Sequence, residues 1–194
     1  MAPFWVSLRS ISSAASLAVT SDRGHKDGLG PLVPGVQFLP FPYRYRNPFG
    51  CPDDRIDEQA ADYLERVLED SHSGVSKPAA VILEAVQGEG GTIIPSPKFL
   101  QRVREITEAH GVLLICDEIQ AGLGRTGKMF AFQHAGIVPD IVTISKALGG
   151  VGFPISAIAY REELSTWPPR APCRGHTYAF DFFRFSANCV PPVG

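Results

Sequence analysis

Three short, largely apolar runs organise the sequence, and each run ends at a charged residue. They cover residues 79–83, 112–116 and 141–145, and the residues that follow them are Glu84, Asp117 and Lys146. A continuous apolar run of this length is typical of a strand that is buried on both faces of a sheet. We therefore predict three buried strands.

Apolar residues at helical spacing predict two helices around the first of these runs. One covers residues 56–70, where apolar side chains recur every three or four positions and Asp53 or Asp54 can cap the start. The other begins at Ser96, an N-cap followed by a proline, and ends near His110. Alternating strands and helices predict parallel strands joined by right-handed crossovers, and hence an α/β sheet covered by helices.

The charged residues at the strand ends form a candidate site. In open α/β sheets, ligands bind beyond the carboxyl ends of the strands, so Glu84, Asp117 and Lys146 are expected to share one edge. A lysine directly after a buried strand is poorly solvated, which favours the neutral, nucleophilic amine that carbonyl chemistry requires. The alternative is that each charge only marks the point where a strand reaches water. Spacing alone does not separate the two interpretations.

A glycine-rich segment, residues 122–127, matches two nucleotide-binding patterns weakly. Its glycines fit GxGxxG and, with Lys128, most of the phosphate-binding loop pattern. The first pattern requires a strand directly before it and a helix directly after it, whereas only a short helix from Lys128 to His134 is predicted here. In the second pattern, Met129 occupies the position of the Ser or Thr that binds magnesium. We therefore do not expect a nucleotide ligand.

The overall composition favours a small-molecule ligand over nucleic acid or membrane. Lys and Arg number 18 against 20 Asp and Glu, and the net charge of -2 provides no broad basic field. No stretch approaches the roughly 20 consecutive apolar residues that a membrane-spanning helix needs. We expect a soluble protein with neither nucleic acid nor membrane as a partner.

The cysteines favour a reducing compartment and no zinc site. Cys51, Cys116, Cys173 and Cys189 are scattered without a CxxC pair, and Cys116 lies inside an apolar run where a buried, inert thiol is the usual finding. We therefore expect a cytoplasmic protein without a bound metal.

Three blocks of sequence resemble the class III aminotransferases. The blocks are Leu83–Gly91, Cys116–Gly127 and Ser145–Gly150, and they occur in the family's order. Asp117 and Lys146 are separated by the interval that is usual in this family.

The fold and domain organisation are implied by this resemblance, which extends from about residue 16 to residue 178. It implies a fold-type-I transferase that depends on pyridoxal phosphate (PLP). Residues 16–178 would form part of its PLP-binding large domain, a mainly parallel sheet with helices on both faces. Residues 1–15 and 179–194 look unlike the family, so we expect an atypical head, an atypical tail and no small domain.

The resemblance also implies roles for four residues that would contact the cofactor. Lys146 would form the Schiff base with PLP and later carry the proton. Asp117 would pair with the protonated pyridine nitrogen, which preserves the ring as an electron sink. Gln120 would hydrogen-bond the phenolic oxygen of the ring, and Ile119 would pack on the ring face.

Three further residues match positions around the cofactor. Glu84 matches an acid that supports the site near Asp117, and Glu89 matches an acid in a loop near the substrate entrance. Thr177 matches a position that reaches the cofactor phosphate of the partner subunit, which implies a homodimer.

The activity implied by the resemblance is transamination. Segments 40–50 and 164–169 look most like the enzymes that transfer an amino group from L-2,4-diaminobutyrate to 2-oxoglutarate. Another class III transaminase, acting on acetylornithine, ornithine or 4-aminobutyrate, is an alternative. A second alternative is a catalytically inactive fragment or partner-dependent remnant, because the phosphate-binding turn and the ring-stacking aromatic of the family precede the region that matches residue 16.

Overall fold

A four-stranded sheet forms the centre of the computed structural model, which describes residues 14–150, 152 and 154–164. Its strands, in spatial and sequence order, are β1 (Ala80–Glu84), β2 (Leu113–Asp117), β3 (Ile141–Ile144) and β4 (Ala157–Tyr160). β1, β2 and β3 are parallel, as the apolar runs predict. β4 pairs antiparallel to β3, and no sequence pattern predicted it.

The register of the sheet places polar and apolar residues on opposite faces. Glu84 lies opposite Asp117, and Asp117 lies opposite Thr143. Their neighbours in the chain, Leu83 and Cys116, also lie opposite each other. Because successive side chains of a strand point to opposite faces, the three polar residues share one face and the apolar pair lies on the other.

The main core lies on the apolar face of the sheet, under two helices. They are α2 (Ile56–Glu69) and α3 (Pro97–Ala109), and a shorter helix, α1 (Ala14–Val19), precedes them. Leu83 and Leu114 of the sheet pack in one cluster with Leu64 of α2 and Val103 of α3. Leu114 is only 1 % exposed, and burial of such a side chain contributes about 1.5–3 kcal/mol.

The polar face of the sheet is less completely covered. Three of its isoleucines, Ile82, Ile115 and Ile141, are half-buried, and Ile158 of β4 is exposed. Within the described ranges, α2 and α3 both pack on the opposite face. This face of the sheet is therefore partly open to a ligand or to other chain segments.

The start of α2 differs from the prediction that Asp53 or Asp54 caps it. Asp53–Arg55 form a 3-10 turn that continues directly into the helix, and Arg55 is the capping residue without a side-chain cap. The two aspartates are therefore part of that turn and cannot accept the hydrogen bonds of an N-cap. Their negative charge still lies at the positive end of the helix dipole. The predicted end near residue 70 is confirmed.

The start of α3 agrees with its sequence signals. Ser96 is the N-cap, and its Oγ accepts a hydrogen bond of 3.4 Å from the backbone N–H of Phe99. Pro97 occupies the first turn, where its missing N–H costs nothing. The helix ends at Ala109 with His110 as its C-cap, and Gly111 adopts the left-handed conformation with a φ of 61°.

The remaining described segments are short turns and irregular connections. Most of residues 28–52 are irregular, as the glycine and proline content predicts, with a single 3-10 turn at Arg44–Arg46. The short helix predicted from residue 128 to residue 134 is a 3-10 helix at Ala131–Ala135. No helix of the described residues is long and apolar enough to cross a membrane.

Candidate functional site

Asp117 is the last residue of β2, and its carboxylate is almost fully buried. The side chain is 2 % exposed. Its Oδ1 accepts a hydrogen bond of 2.9 Å from the backbone N–H of Ile119. Burial raises the pKa of Asp117 to about 6, although the Ile119 N–H and the charge of Lys146 favour the ionised form.

Glu84 is the last residue of β1 and lies beside Asp117 in the sheet. Its Oε2 accepts a hydrogen bond of 2.9 Å from the backbone N–H of Gly88. Burial raises the pKa of Glu84 to about 7; the Gly88 N–H acts against this rise, and the negative charge of Asp117 adds to it. At this edge of the sheet, the negative charge of one buried acid therefore opposes ionisation of the other.

Several buried polar atoms at this edge have no hydrogen-bond partner of normal geometry within the described residues. They are Glu84 Oε1, Asp117 Oδ2, Gln120 Oε1 and Thr143 Oγ1. An unsatisfied buried polar group costs about 1–3 kcal/mol and is rare in folded proteins. The concentration of such atoms in one place marks this edge as a candidate binding site.

Lys146 follows β3 and lies in the electrostatic range of both acids, since its charge favours the ionised forms of Glu84 and Asp117. Its Nζ is 3.9 Å from Oε1 of Glu89. The backbone of Lys146 has a φ of 47°. This left-handed conformation costs a residue with a side chain about 1–2 kcal/mol, and strain of this kind is common at functional sites.

The expectation that Lys146 is poorly solvated is wrong. Its side chain is 39 % exposed. The reason is that β3 ends at Ile144, so that Lys146 begins the 3-10 turn Lys146–Gly149 beyond the sheet. The amine is therefore reachable from solvent and from a ligand.

Gln120 is held against the glycine-rich loop that follows β1. A Cβ atom added at Gly88 would lie 2.5 Å from Cγ of Gln120 and 2.9 Å from its Cδ. No real Cβ contact is that short, so a side chain at this position would force Gln120 to move. The close approach brings the loop after β1 and the turn after β2 into one rim.

Glu118 is a site residue that the sequence patterns did not indicate. The side chain is 1 % exposed, and its two carboxylate oxygens accept hydrogen bonds of 2.9 Å from the backbone N–H groups of Ala131 and Phe132. Burial raises the pKa of Glu118 to about 7, and the two N–H groups act in the opposite direction. The only sequence signal was a second acid directly after Asp117.

The other predicted site residues are placed as follows. Ile119 is half-buried and follows Glu118 in the turn after β2, whereas Glu89 is 60 % exposed beside Lys146. Thr177 lies outside the described residues. The structure therefore brings Glu84, Asp117 and Lys146 to one edge, as predicted, and places Gln120 and Glu89, two further predicted residues, at the same edge.

This edge offers two different groups for contact with a ligand. The unpaired Oδ2 of Asp117 can accept a hydrogen bond from a protonated ring nitrogen. The solvent-reachable amine of Lys146 can react with a carbonyl group at the other end.

Comparison with known proteins identifies a family and several relatives. The family described as aminotransferase class III matches residues 12–188. The diaminobutyrate–2-oxoglutarate aminotransferase of Haemophilus influenzae is 50% identical over 165 residues, which are 85% of this chain and 35% of that protein. The enzyme of the same name from Rhizobium meliloti is 51% identical over 160 residues, 82% of this chain and 34% of that protein.

A solved structure with a similar fold is an amine transaminase from an uncultivated Pseudomonas species in its PLP-bound form. It is 32% identical, with a TM-score of 0.67, and the match covers 74% of this chain and 32% of that one. The chain thus spans about a third of the length of the relatives that it matches.

Proposed function

This chain belongs to the class III aminotransferases, and we propose that it forms the cofactor-binding part of a PLP-dependent transaminase in which Lys146 holds the cofactor. Residues 16–178 would supply the PLP-binding domain. The proposal rests on family membership together with one observation on the chain itself, the buried and unpaired Oδ2 of Asp117.

The environment of Asp117 fits the pyridine ring of PLP. A carboxylate with one unpaired, buried oxygen needs a donor, and a cationic donor satisfies it better than a neutral one. A protonated ring nitrogen is such a donor. Burial raises the pKa of Asp117 to about 6 in the free chain, and a cation in contact with the carboxylate would lower it again. Asp117 would therefore keep the ring nitrogen protonated.

PLP, when bound, supplies an electron sink for the carbon from which a proton is removed. Lys146 would hold the cofactor through its Nζ, which faces the carboxylate of Glu89 at 3.9 Å. After its release by the incoming amine, the same Nζ would accept and return the substrate proton. Its position beyond the end of β3 lets it reach solvent and substrate while the chain anchors it on the sheet.

The residues around this pair would orient the ring. Gln120, packed on Gly88, would hydrogen-bond the ring oxygen, and Ile119 would lie on the ring face. Glu84 would support the loop at Gly88 through its 2.9 Å hydrogen bond. Glu89 would act at the substrate entrance, beside Lys146.

The substrates that we propose are L-2,4-diaminobutyrate as the amino donor and 2-oxoglutarate as the acceptor. The support is the name shared by two relatives that are 50% and 51% identical. Participation of Thr177 in binding the cofactor phosphate of a partner subunit, and hence a homodimer, stays a prediction from the family resemblance. A cytoplasmic location stays a prediction from cysteine usage.

Covalent trapping of PLP tests the assignment of Lys146. The chain is incubated with PLP, reduced with borohydride and digested, and the labelled peptides are identified by mass spectrometry. We expect the label on the peptide that contains Ser145–Ala147. Lys146→Ala should remove it, whereas Lys98→Ala, at an exposed position at the start of α3, should leave it unchanged. Equal labelling of Lys98 and Lys146 would overturn the assignment.

A further inference from the structure

We propose that Glu118 is a positioning residue, whose carboxylate sets the place of the turn at residues 119–122 and thereby of Ile119 and Gln120. This inference rests on the proposed function for its consequence, the affinity for PLP. The contact itself is a property of the chain without cofactor.

Glu118 joins three parts of the chain at one point. Its backbone N–H donates to the carbonyl of Thr143 at 3.0 Å, which extends the pairing of β2 with β3. Its carbonyl accepts from the N–H of Gly122 at 2.9 Å. Its carboxylate accepts from Ala131 and Phe132, the first two residues of the 3-10 helix Ala131–Ala135. Glu118 is thus hydrogen-bonded to β3, to the turn at residues 119–122 and to the loop at residues 131–132.

The turn is wound tightly onto Glu118. A Cβ atom added at Gly122 would lie 2.6 Å from the carbonyl oxygen of Glu118 and 3.0 Å from its Cβ. Only a residue without a Cβ allows this close approach, and the hydrogen bond from Gly122 closes the turn. Gln120, in the middle of this turn, is pressed onto Gly88. The position of Gln120 therefore follows from the position of Glu118.

The chemistry of the contact requires a carboxylate. Two N–H donors face the two oxygens, and both bonds are 2.9 Å long. In Glu118→Gln the amide group turns an N–H towards one of these donors, so one hydrogen bond is lost and two donors face each other. Above the raised pKa of Glu118, about 7, the acceptor is charged, and bonds to a charged acceptor are roughly twice as strong as neutral ones.

Hydrogen exchange on the chain without PLP is the first part of the test. In Glu118→Gln we expect the backbone amides of Ala131 and Phe132, and those of residues 119–122, to exchange about tenfold faster than in the wild type. Asp140→Asn is the matched control, since Asp140 is also a buried acid, in a network at the opposite end of β3. It should accelerate exchange near Leu114 and Arg104 and leave residues 119–122 unchanged.

Titration with PLP, followed by its absorbance, is the second part. The dissociation constant should rise about tenfold in Glu118→Gln, equivalent to about 1.4 kcal/mol, and less than twofold in Asp140→Asn. The titration is made at a temperature at which the unfolding curves show that both variants are folded. If the role of Glu118 were only structural, the dissociation constant for PLP would rise equally in the two variants. That outcome would overturn the proposal.

A second variant removes one of the donors of the same contact. Ala131→Pro removes the N–H that Oε2 of Glu118 accepts and leaves Glu118 itself in place. The preceding Phe130 has φ −129° and ψ 145°, the extended conformation that proline requires of its neighbour. Ala131→Pro should therefore also make the backbone amides of residues 119–122 exchange faster than in the wild type. Acceleration confined to residues 130–132 in both variants would refute the coupling, whereas failure of the wild type to bind PLP would count against the proposed function alone.

Discussion

Glu84 and Asp117 lie opposite each other at the ends of β1 and β2, and both carboxyl groups are buried on the same face of the sheet. Each has one oxygen bonded to a backbone N–H and one oxygen without a partner in the described part of the chain. In the absence of a cationic ligand, their mutual repulsion and their burial both oppose ionisation.

The first prediction is that the chain without cofactor becomes less stable as pH rises. Burial raises the pKa of Glu84 to about 7 and that of Asp117 to about 6. The folded chain then binds more protons than the unfolded chain, so the contribution of these groups is full below the unfolded pKa and is lost as pH rises through about 7. Urea unfolding at about pH 5 and about pH 8 measures this loss.

Substitution of Glu84 isolates its share of that loss. Glu84→Gln should be more stable than the wild type at about pH 8, by about 1–2 kcal/mol, and should show a flatter pH dependence. The pKa of Glu118 is also raised to about 7, but Glu118 is present in both proteins and does not contribute to the difference between them. The exposed Glu105 serves as the control. An equal slope in Glu84→Gln and Glu105→Gln would contradict the prediction.

The second prediction concerns the contact of Gly88 with Gln120. Gly88→Ala should lower the free energy of unfolding by about 1–3 kcal/mol and weaken PLP binding, because the new Cβ overlaps Cγ of Gln120. Gly30→Ala is the control, since nothing lies within 4 Å of a Cβ at that position. Adding Gln120→Ala to Gly88→Ala should recover part of the stability but not the PLP affinity, because only the Cβ of residue 120, at 3.2 Å, then remains close. Urea unfolding and PLP titration measure the two effects.

The third prediction concerns the backbone of Lys146, which has a φ of 47°. Lys146→Gly should be more stable than Lys146→Ala by about 1 kcal/mol, because glycine adopts the left-handed conformation without a steric penalty. At Lys128, which is exposed and lacks a positive φ, the order should be reversed. Urea unfolding of the four variants compares them, and a more stable Lys146→Ala would show that the turn is not strained.

The fourth prediction concerns the network that anchors the start of β3. Oδ2 of Asp140 accepts from Nη1 of Arg104 at 2.6 Å and from the N–H of Leu114 at 2.7 Å, and Arg161 approaches Oδ1 at 3.2 Å. Burial alone would raise the pKa of Asp140, but these partners outweigh it and lower the pKa. Its contribution to stability is therefore present above the unfolded pKa and is lost as pH falls.

Asp140→Asn should accordingly lower the free energy of unfolding by about 2–4 kcal/mol near neutral pH, because Arg104 is left with a weaker partner in a buried place. The difference from the wild type should shrink towards acid pH. Urea unfolding at about pH 7 and about pH 3 measures it. A variant as stable as the wild type at about pH 7 would show that the network is dispensable.

The sequence by itself determined the elements whose signals are local. The three parallel strands and the extents of α2 and α3 follow from apolar runs, from helical spacing and from Ser96 with Pro97. These signals depend on a few neighbouring residues only, because they report burial and period within one element. The grouping of Glu84, Asp117 and Lys146 at one edge also followed, since parallel strands end on the same side.

The tertiary structure alone decided how distant segments meet at that edge. The N–H groups that bind Glu118 lie 13 and 14 residues further along the chain, beyond a turn without helical or strand period, so no pattern indicates where this loop returns. The contact of Gly88 with Gln120, the antiparallel β4 and the exposure of Lys146 have the same origin. Each depends on the path of a connecting segment. That path is set by how the segment packs against the folded sheet, and not by the local sequence of the segment.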